Sequence, residues 1–347
     1  MVKRNVLKIL YVYIEKEKEE RAMRSLSRTI SLAKRAVGNY FTKRPFCVSF
    51  EVTFNCNALC KHCNRGGPVE EQRVTPERYG EISRQIKPLV AQLSGGEPLL
   101  RNDLEQIVDA LSVPKRAPYI VVITNGVLMT KERYRRLREA GADRFSLSLD
   151  YPDERHDEFR GVPGLFSHIT TLIKELSSEN NKEITLCCVI QSDNFKELVK
   201  MAELAREWNV SITFSAYTCL RTNDESFMLS SEELEEFREI IERLLDFNKK
   251  HRNIFTSDYV FKVIPDFFKH GYIPNCRTGE RFLNVNPEGT LSPCGLIRTD
   301  YQSQKELREK FSKSNTCVYC YTSIRANSEK PAKYLIKDIK RNFDFQK

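Results

Sequence analysis

The residues best suited to chemistry are three cysteines in one short segment. Residues 54–67 read FNCNALCKHCNRGG and place Cys56, Cys60 and Cys63 in C-x3-C-x2-C spacing. Cysteine thiolates bind iron–sulfur clusters and zinc. Three ligands would leave the fourth iron of a cubane open for chemistry, whereas structural zinc needs four closed ligands. His62 is a poor fourth zinc ligand because it lies beside Cys63. The spacing favours a cluster and leaves zinc as the alternative.

A second set of cysteines lies near the C-terminal end. Cys276, Cys294, Cys317 and Cys320 surround a predicted hairpin turn at residues 287–289. Four cysteines around a hairpin can hold one closed iron–sulfur cluster, and they also describe a zinc ribbon. Spacing alone does not decide between these two metal sites.

Repeated β–α units must position these cysteines. Apolar runs rich in β-branched residues predict six strands, at Phe46–Phe54, Val90–Leu93, Tyr119–Thr124, Arg144–Leu149, Ile184–Ile190 and Val210–Ala216. Amphipathic patterns predict helices near 76–87, 102–112, 131–140, 164–178, 195–208 and 231–249. This alternation predicts a parallel sheet, either open and doubly wound or an incomplete barrel. Both bind ligands at the carboxyl ends of the strands, where the first cysteine set follows strand one.

Three further motifs follow the next three strands. They are LSGGEPLL at 93–100, TNG at 124–126 and SLSLD at 146–150. Two glycines let the backbone approach a ligand closely, and the Glu97 carboxylate can bind an ammonium group. Each motif alone would also fit an ordinary turn at a strand end.

Together, the cysteine motif and these three motifs resemble the radical S-adenosylmethionine (radical SAM) superfamily over about residues 46–217. The resemblance implies an α/β fold with a partial (β/α)6 barrel and a 4Fe-4S cluster on Cys56, Cys60 and Cys63. It implies an enzyme that reductively cleaves SAM at this cluster to a 5′-deoxyadenosyl radical, which makes these cysteines catalytic. The cofactor carries the difficult chemistry, and the barrel orients the reactants and excludes water.

The resemblance also implies which residues bind SAM. Glu97 would meet the ammonium group, Thr124 and Asn125 the amino-acid portion, and Ser148 with Asp150 the ribose. The full set is His62 near the adenine, with Gly95, Gly96, Glu97, Pro98, Thr124, Asn125, Ser148 and Asp150.

The second cysteine set resembles the C-terminal region of the SPASM and twitch subgroup. No cysteine follows Cys320, so the resemblance implies a single auxiliary 4Fe-4S cluster rather than two. We accordingly predict a basic amphipathic helical arm at 1–45 and a radical SAM barrel at 46–253. An auxiliary-cluster domain at 254–328 and a tail at 329–347 complete the predicted organisation.

Composition is that of a globular protein: 347 residues, 40% hydrophobic and 30% charged. The sequence contains no apolar run of membrane-spanning length and no signal peptide. Eleven cysteines without a secretory signal indicate reduced thiols. We therefore expect a cytoplasmic protein, with a position peripheral to the inner face of the membrane as the alternative.

The N-terminal arm carries most of the charge. Of the net charge of +9, residues 1–45 supply +8, from 12 Lys and Arg against four Glu. A helix over about 24–41 is predicted, with Leu26, Ile30, Ala33, Val37, Tyr40 and Phe41 on one stripe. We expect this helix to dock on the body with its basic face in solvent. Contact with an anionic membrane surface is the alternative, and nucleic acid is disfavoured.

The substrate is not indicated by any motif. The basic arm favours a lipid or isoprenoid-type substrate, with a peptide or protein substrate as the alternative. The resemblance implies SAM and an electron donor such as a ferredoxin or flavodoxin as partners. A competing hypothesis of another class is a non-catalytic, zinc-stabilised nucleic-acid-binding protein.

The remaining cysteines and one loop carry weaker signals. Cys47, Cys187 and Cys188 lie in apolar runs and are predicted core residues, while Cys219 lies near the expected site. The loop at 150–161 offers His156 and Asp157 for acid–base chemistry, but we interpret it as structural.

Overall fold

The computed structural model describes residues 28, 30–112, 117–177 and 183–334. Over these residues the strands form one sheet in the order β6-β5-β4-β3-β2-β1-β7-β8. All neighbouring pairs are parallel except β7 with β8, which are antiparallel. The strands are β1 (Cys47–Thr53), β2 (Val90–Gly95), β3 (Tyr119–Thr124), β4 (Arg144–Ser148), β5 (Ile184–Ile190), β6 (Ser211–Ala216), β7 (Phe282–Val285) and β8 (Leu291–Ser292).

The predicted α/β class with a parallel sheet is confirmed. The first six strands lie side by side in chain order, so the sheet lacks the order reversal of a doubly wound fold. The arrangement is therefore that of an incomplete barrel.

Helices connect the strands and cover the sheet. The first, α1, spans residues 30–42. The others are α2 (Pro76–Ile86), α3 (Leu104–Leu111), α4 (Lys131–Ala140), α5 (Arg155–Arg160), α6 (Leu165–Ser177), α7 (Leu198–Glu207), α8 (Glu233–His251), α9 (Asp258–His270), α10 (Gln304–Lys310) and α11 (Ser323–Glu329). The sequence did not predict α9, which contains Pro265 within the helix.

Strand β1 lies at the centre of the sheet, and all seven of its residues are buried. Side chains alternate along a strand, so Val48, Phe50 and Val52 share one face and pack in the hydrophobic core under α2. Glu51 lies on the opposite face, and its carboxylate is also buried. A charge on a central strand needs partners, and these are described with the site below.

The predicted hairpin at residues 287–289 joins β7 to β8. Gly289 has a φ of 84° and donates its N–H to the carbonyl of Asn286 at 2.9 Å. Strand β7 pairs in parallel with β1, with Cys47 opposite Phe282. The cysteine-rich segment therefore continues the barrel's sheet.

The docking of α1 is confirmed, but the face that docks differs from the prediction. Arg28 forms an ion pair with Asp143, and Arg35 donates to the carbonyl of Pro88. Asn39 is buried and donates to the carbonyl of Lys87. The apolar stripe instead faces solvent, with Ile30 47%, Val37 59%, Tyr40 46% and Phe41 77% exposed. Leu26, the other end of that stripe, lies outside the described residues.

Helices long and apolar enough to cross a membrane are absent from the part of the chain that the structure describes.

Candidate active site

The three-cysteine loop follows β1 at the carboxyl edge of the sheet. Its ends are joined by hydrogen bonds between Cys56 and Gly67, at 3.2 and 3.1 Å. Its middle is fixed from the other side, because the N–H groups of Leu59 and Lys61 donate to carbonyls of Arg160 and Phe159, each at 3.0 Å. The loop is therefore closed on itself and held by the end of α5.

Each of the three thiols meets one nitrogen donor from a different part of the barrel. Asn125, after β3, lies 3.8 Å from the Cys56 sulfur through its Nδ2. Arg160, in α5, lies 3.6 Å from the Cys60 sulfur, and Arg221, after β6, lies 3.6 Å from the Cys63 sulfur. N–H donors and positive charges favour the thiolate form that binds iron.

Burial acts in the opposite direction on these thiols. It raises the pKa of Cys56 and of Cys60, while Arg160 lowers that of Cys60. No group of three His, Cys, Asp or Glu side chains among the described residues is already arranged to hold a metal ion. The fit of a cluster therefore rests on the donors around the sulfur atoms. Three sulfur atoms with three N–H donors are what a thiolate-bound cluster requires of its surroundings.

The two glycines of the second motif bring β2 against the cysteine loop. Gly95 has a φ of 131°, in the region that favours glycine. A Cβ on Gly96 would lie 2.1 Å from the carbonyl oxygen of Asn55. The N–H of Glu97 donates to that same oxygen at 2.8 Å. The close approach required here is thus between two protein backbones, and Pro98 then starts a short 3-10 helix at Pro98–Leu100.

Glu97 is only 1% exposed and joins β2 to β3. One carboxylate oxygen accepts from Thr124 Oγ1 at 2.7 Å and from the N–H of Leu99 at 3.0 Å, and the other from the N–H of Asn125 at 2.7 Å. Burial raises the pKa of Glu97, and these donors oppose the rise. Since a carboxylate offers about four acceptor positions, about one remains for an ammonium group.

Asp150 is fully buried and bound by protein groups. Its carboxylate pairs with Arg160 at 2.5 Å and accepts from the N–H of Val189 at 3.0 Å. Burial acts to raise the pKa of Asp150, but Arg160, His62, His156 and the N–H of Val189 together outweigh burial, so the pKa is lowered. Ser148, the other residue expected at the ribose, is half-buried at the end of β4.

His62 stacks on Phe159, with ring centroids 4.9 Å apart and 6° between the ring planes. Burial lowers its pKa to about 3, with Arg160 contributing, so the imidazole is neutral near pH 7. Its buried Nδ1 meets no hydrogen-bond partner among the described residues. A flat, neutral ring with an unused nitrogen suits a contact with a planar base.

The His156 and Asp157 loop has the structural role that we predicted. His156 is fully buried and accepts the N–H of Asp150 through Nδ1. Asp157 accepts the N–H groups of Gly164 and Phe166, each at 2.6 Å, at the start of α6.

Two segments of the second cysteine set are joined by a residue that the sequence did not indicate. Arg325 is fully buried and donates to the carbonyls of Cys320, Ile273 and Pro274 at 2.7 to 2.9 Å. It therefore holds the segment before Cys276 against Cys320. Burial raises the pKa of Cys276 to about 12 and that of Cys294 to about 11, and neighbouring thiols contribute to both. All four thiols are free rather than disulfide-bonded.

The other cysteines follow the prediction in part. Cys47 and Cys188 are buried. Cys187 is half-buried on the opposite face of β5 from Cys188, so its assignment to the core was wrong. Cys219 is half-buried and starts the 3-10 helix that contains Arg221.

Several functional candidates escaped the sequence analysis. Arg160 and Arg221 lie about 100 and 158 residues from the cysteines that they contact. Glu51 was detectable as a charge within an apolar strand. Arg298 lies in a loop after β8 and has no local signal, because only the fold brings it to Glu51.

Comparison with known proteins identifies the fold and the family. The model of the radical SAM superfamily matches residues 50–205. AdoMet-dependent heme synthase of Oleidesulfovibrio alaskensis is 26% identical over 293 residues, which cover 75% of this chain and 72% of that protein. PqqA peptide cyclase of Granulibacter bethesdensis is 29% identical over 264 residues, covering 72% and 67%.

Streptococcus suis SuiB, in its crystal structure bound to S-adenosylmethionine, has a similar fold. The TM-score is 0.61 at 18% identity, over 76% of this chain. The match covers 64% of the SuiB chain, so this chain spans less than two thirds of that structure. The family match therefore identifies residues 50–205 as a radical SAM domain, and the relatives that the chain is similar to over about three quarters of its length are enzymes.

Proposed function

We propose that this radical SAM enzyme modifies a peptide or another polar small molecule, with Cys56, Cys60 and Cys63 as the ligands of its catalytic cluster. The observation that carries the proposal is the set of three thiols, each with its own nitrogen donor, at the carboxyl edge of the barrel. The enzyme assignment sets aside the non-catalytic, zinc-stabilised alternative.

When bound, the 4Fe-4S cluster and SAM supply one-electron cleavage of SAM to methionine and a 5′-deoxyadenosyl radical. The protein's part is to hold the reactants in place. Asn125, Arg160 and Arg221 stabilise the thiolates. Glu97 fixes the backbone of Asn125 and has about one acceptor position left for the ammonium group of SAM.

The remaining SAM contacts are proposed on the same grounds. Gly95, Gly96 and Pro98 shape the backbone beside the cysteine loop, and Thr124 lies behind Glu97. His62 offers its unused Nδ1 and its flat ring to the adenine. Ser148 is placed at the ribose. Both carboxylate oxygens of Asp150 already accept hydrogen bonds from protein groups. Asp150 therefore contributes to the SAM site by holding Arg160 in place.

A polar substrate is supported by the cavity beside Cys63. Its volume is about 350 Å³, and it is lined by Arg65, Arg221 and Arg298 among others. Charged walls favour a polar group over an isoprenoid chain. The relatives named above include a peptide cyclase, and SuiB has also been crystallised with its precursor peptide SuiA.

We propose that α1 contacts a membrane surface, while the substrate itself is polar rather than a lipid. Its exposed stripe of Ile30, Val37, Tyr40 and Phe41 supports a peripheral position on an anionic membrane. Nucleic acid is not proposed as a partner.

We also propose a single auxiliary 4Fe-4S cluster on Cys276, Cys294, Cys317 and Cys320, in a domain that covers about 254–328 beside the barrel at 46–253. An electron donor of ferredoxin or flavodoxin type is proposed as the redox partner. An acidic donor would complement the basic groove of about 940 Å³ between α1 and α10. Its cations are Lys34, Arg35, Lys43, Arg44, Lys87, Lys305, Arg308 and Lys313, against Glu280 and Glu309.

Anaerobic reconstitution tests the proposal. Iron, sulfide and 5′-deoxyadenosine formed from SAM and dithionite are measured for wild type and for a variant with Ala at Cys56, Cys60 and Cys63. We expect about eight irons per chain to fall to about four, with loss of 5′-deoxyadenosine. A second variant with Ala at Cys276, Cys294, Cys317 and Cys320 should lose the other four irons. Zinc in place of iron, without SAM cleavage, would refute the proposed function.

A further inference from the structure

Beside the catalytic loop, one cavity contains charged groups that the cleavage of SAM does not use. We call it the arginine pocket and define it by Phe54, Arg65, Arg221, Gly295 and Arg298. Glu51 of β1 does not line the cavity but is buried behind it, in contact with Arg65 and Arg298. The pocket joins the cysteine loop, the end of β6 and the loop after β8.

Two arginines converge on one buried carboxylate in this pocket. Arg298 Nη2 lies 2.9 Å from Glu51 Oε2, and Arg65 Nη2 lies 3.4 Å from the same oxygen. Both guanidinium groups also lie over the ring of Phe54, at 3.9 Å for Arg298 and 5.1 Å for Arg65. Contacts with both a carboxylate and an aromatic ring fix the positions of these guanidinium groups before any ligand binds.

Most of the donors on the two guanidinium groups are unused. A guanidinium carries five N–H donors. Arg298 donates to protein only through Nη2, and Arg65 donates only through its own Nη2, to Glu51 and the carbonyl of Gly295, within the described residues. The remaining N–H groups have the fork geometry that binds a planar carboxylate through two parallel hydrogen bonds.

The charge balance points to a ligand with one negative charge. Arg65 and Arg298 share the single buried carboxylate of Glu51, and Asp300, which also acts on Arg298, is exposed to water, so one positive charge is left without a buried counter-charge. Arg221 faces the sulfur of Cys63 and its charge also acts on Glu51, so it adds to the positive charge of the pocket from the cluster side. Glu70 lies at the exposed rim, where water screens its charge.

The stability of the fold does not require two arginines beside Glu51. Arg65 already holds the loop that contains Gly295 by donating to the Gly295 carbonyl. One arginine would also be enough to neutralise the single charge of Glu51. A second guanidinium beside the first adds like-charge repulsion unless an anion binds there. The side chain of Arg298 is still 35% exposed and can be reached from the cavity.

We propose that the arginine pocket binds a carboxylate group of the substrate between Arg65 and Arg298, next to Cys63. This inference rests on the proposed function, since it assigns the substrate class of the same site. The substrate is thus a carboxylate-bearing molecule, and its anchored carboxylate holds the rest of the molecule beside the SAM-cleaving centre.

Binding of a minimal carboxylate tests this assignment without any radical chemistry. N-acetylglycine and its uncharged match N-acetylglycinamide are titrated against reconstituted enzyme with SAM, and binding is followed by saturation-transfer NMR. We expect the amide to bind at least about ten-fold more weakly, the loss expected for a charge-assisted hydrogen bond. Arg298→Gln should cause a similar loss for N-acetylglycine. Arg136→Gln, on the outer surface of α4, is the matched control and should change nothing.

Three results of these titrations would refute the carboxylate site. Equal binding of acid and amide, unchanged binding by Arg298→Gln, or equally strong binding of inorganic phosphate would overturn the proposal. Iron content and the thermal unfolding temperature show whether Arg298→Gln is folded. If it is not, Arg298→Lys keeps the charge but loses the fork and should give an intermediate affinity. Should wild type bind N-acetylglycine selectively but fail to cleave SAM, the proposed function fails and the carboxylate site stands.

Discussion

Replacing Glu97 by Gln tests whether this residue is a structural clamp as well as a SAM ligand. Three donors aim at its two oxygens, from Thr124, Leu99 and Asn125. A glutamine has one acceptor oxygen, and its NH2 group is a donor. In one orientation the NH2 group faces the N–H of Leu99, and in the other it faces the N–H of Asn125. At least one buried N–H therefore loses its partner.

The magnitude follows from that lost partner. A buried N–H without an acceptor costs about 1–3 kcal/mol. For a chain of this size, such a loss lowers the thermal unfolding temperature by about 1–4 °C. The assay is thermal unfolding of the Glu97→Gln variant under anaerobic conditions, together with SAM binding and 5′-deoxyadenosine formation. We expect both stability and SAM cleavage to fall.

The control and the refuting result are specific. Glu132→Gln removes a carboxylate that is 80% exposed on α4, and surface substitutions usually change stability by less than about 0.5 kcal/mol. If Glu97→Gln unfolds at the wild-type temperature, the three hydrogen bonds do not stabilise the fold, and the clamp interpretation is refuted. Loss of SAM binding alone would then assign Glu97 to the ligand.

Three other changes have defined outcomes. Gly96→Ala should lose iron and about 1–3 kcal/mol of stability, because the new Cβ would collide with the backbone of the cysteine loop. The control Gly38→Ala lies on α1, where a Cβ would meet nothing within 4 Å, and it should gain about 0.5–1 kcal/mol. Equal unfolding temperatures of the two variants would contradict this expectation. Asp150→Asn leaves the buried Arg160 charge uncompensated and should cost about 3–5 kcal/mol in denaturant unfolding, so a loss below about 1 kcal/mol would argue against the ion pair. Phe41→Asp should weaken binding to anionic vesicles by about ten-fold or more in a sedimentation assay, and unchanged binding would count against membrane contact.

Much of the fold could be predicted because buried parallel strands have a strong local signal. The predicted strands Tyr119–Thr124 and Ile184–Ile190 have the same bounds as β3 and β5. Strands covered on both faces read as continuous apolar runs, and the turn and helix residues between them mark their ends. The signal was lost after residue 253, where Pro265 obscured α9 and β7 is only four residues long.

The arm shows where local pattern is insufficient. Periodicity correctly indicated an amphipathic helix, but a helical pattern does not say which face docks. Asn39 and Arg35 find carbonyl partners on the body, and these bonds hold α1 through its polar side. The apolar stripe stays in solvent.

The sequence by itself determined the three-cysteine motif, the order of the strand-end motifs and hence the chemistry, because each depends on neighbours within a few residues. Only the tertiary structure decided which groups surround the thiols and which charges line the pocket. Arg221 reaches Cys63 across 158 residues and Arg298 reaches Glu51 across 247. Such pairs form when the barrel brings the carboxyl ends of its strands to one edge, and no local periodicity encodes that meeting.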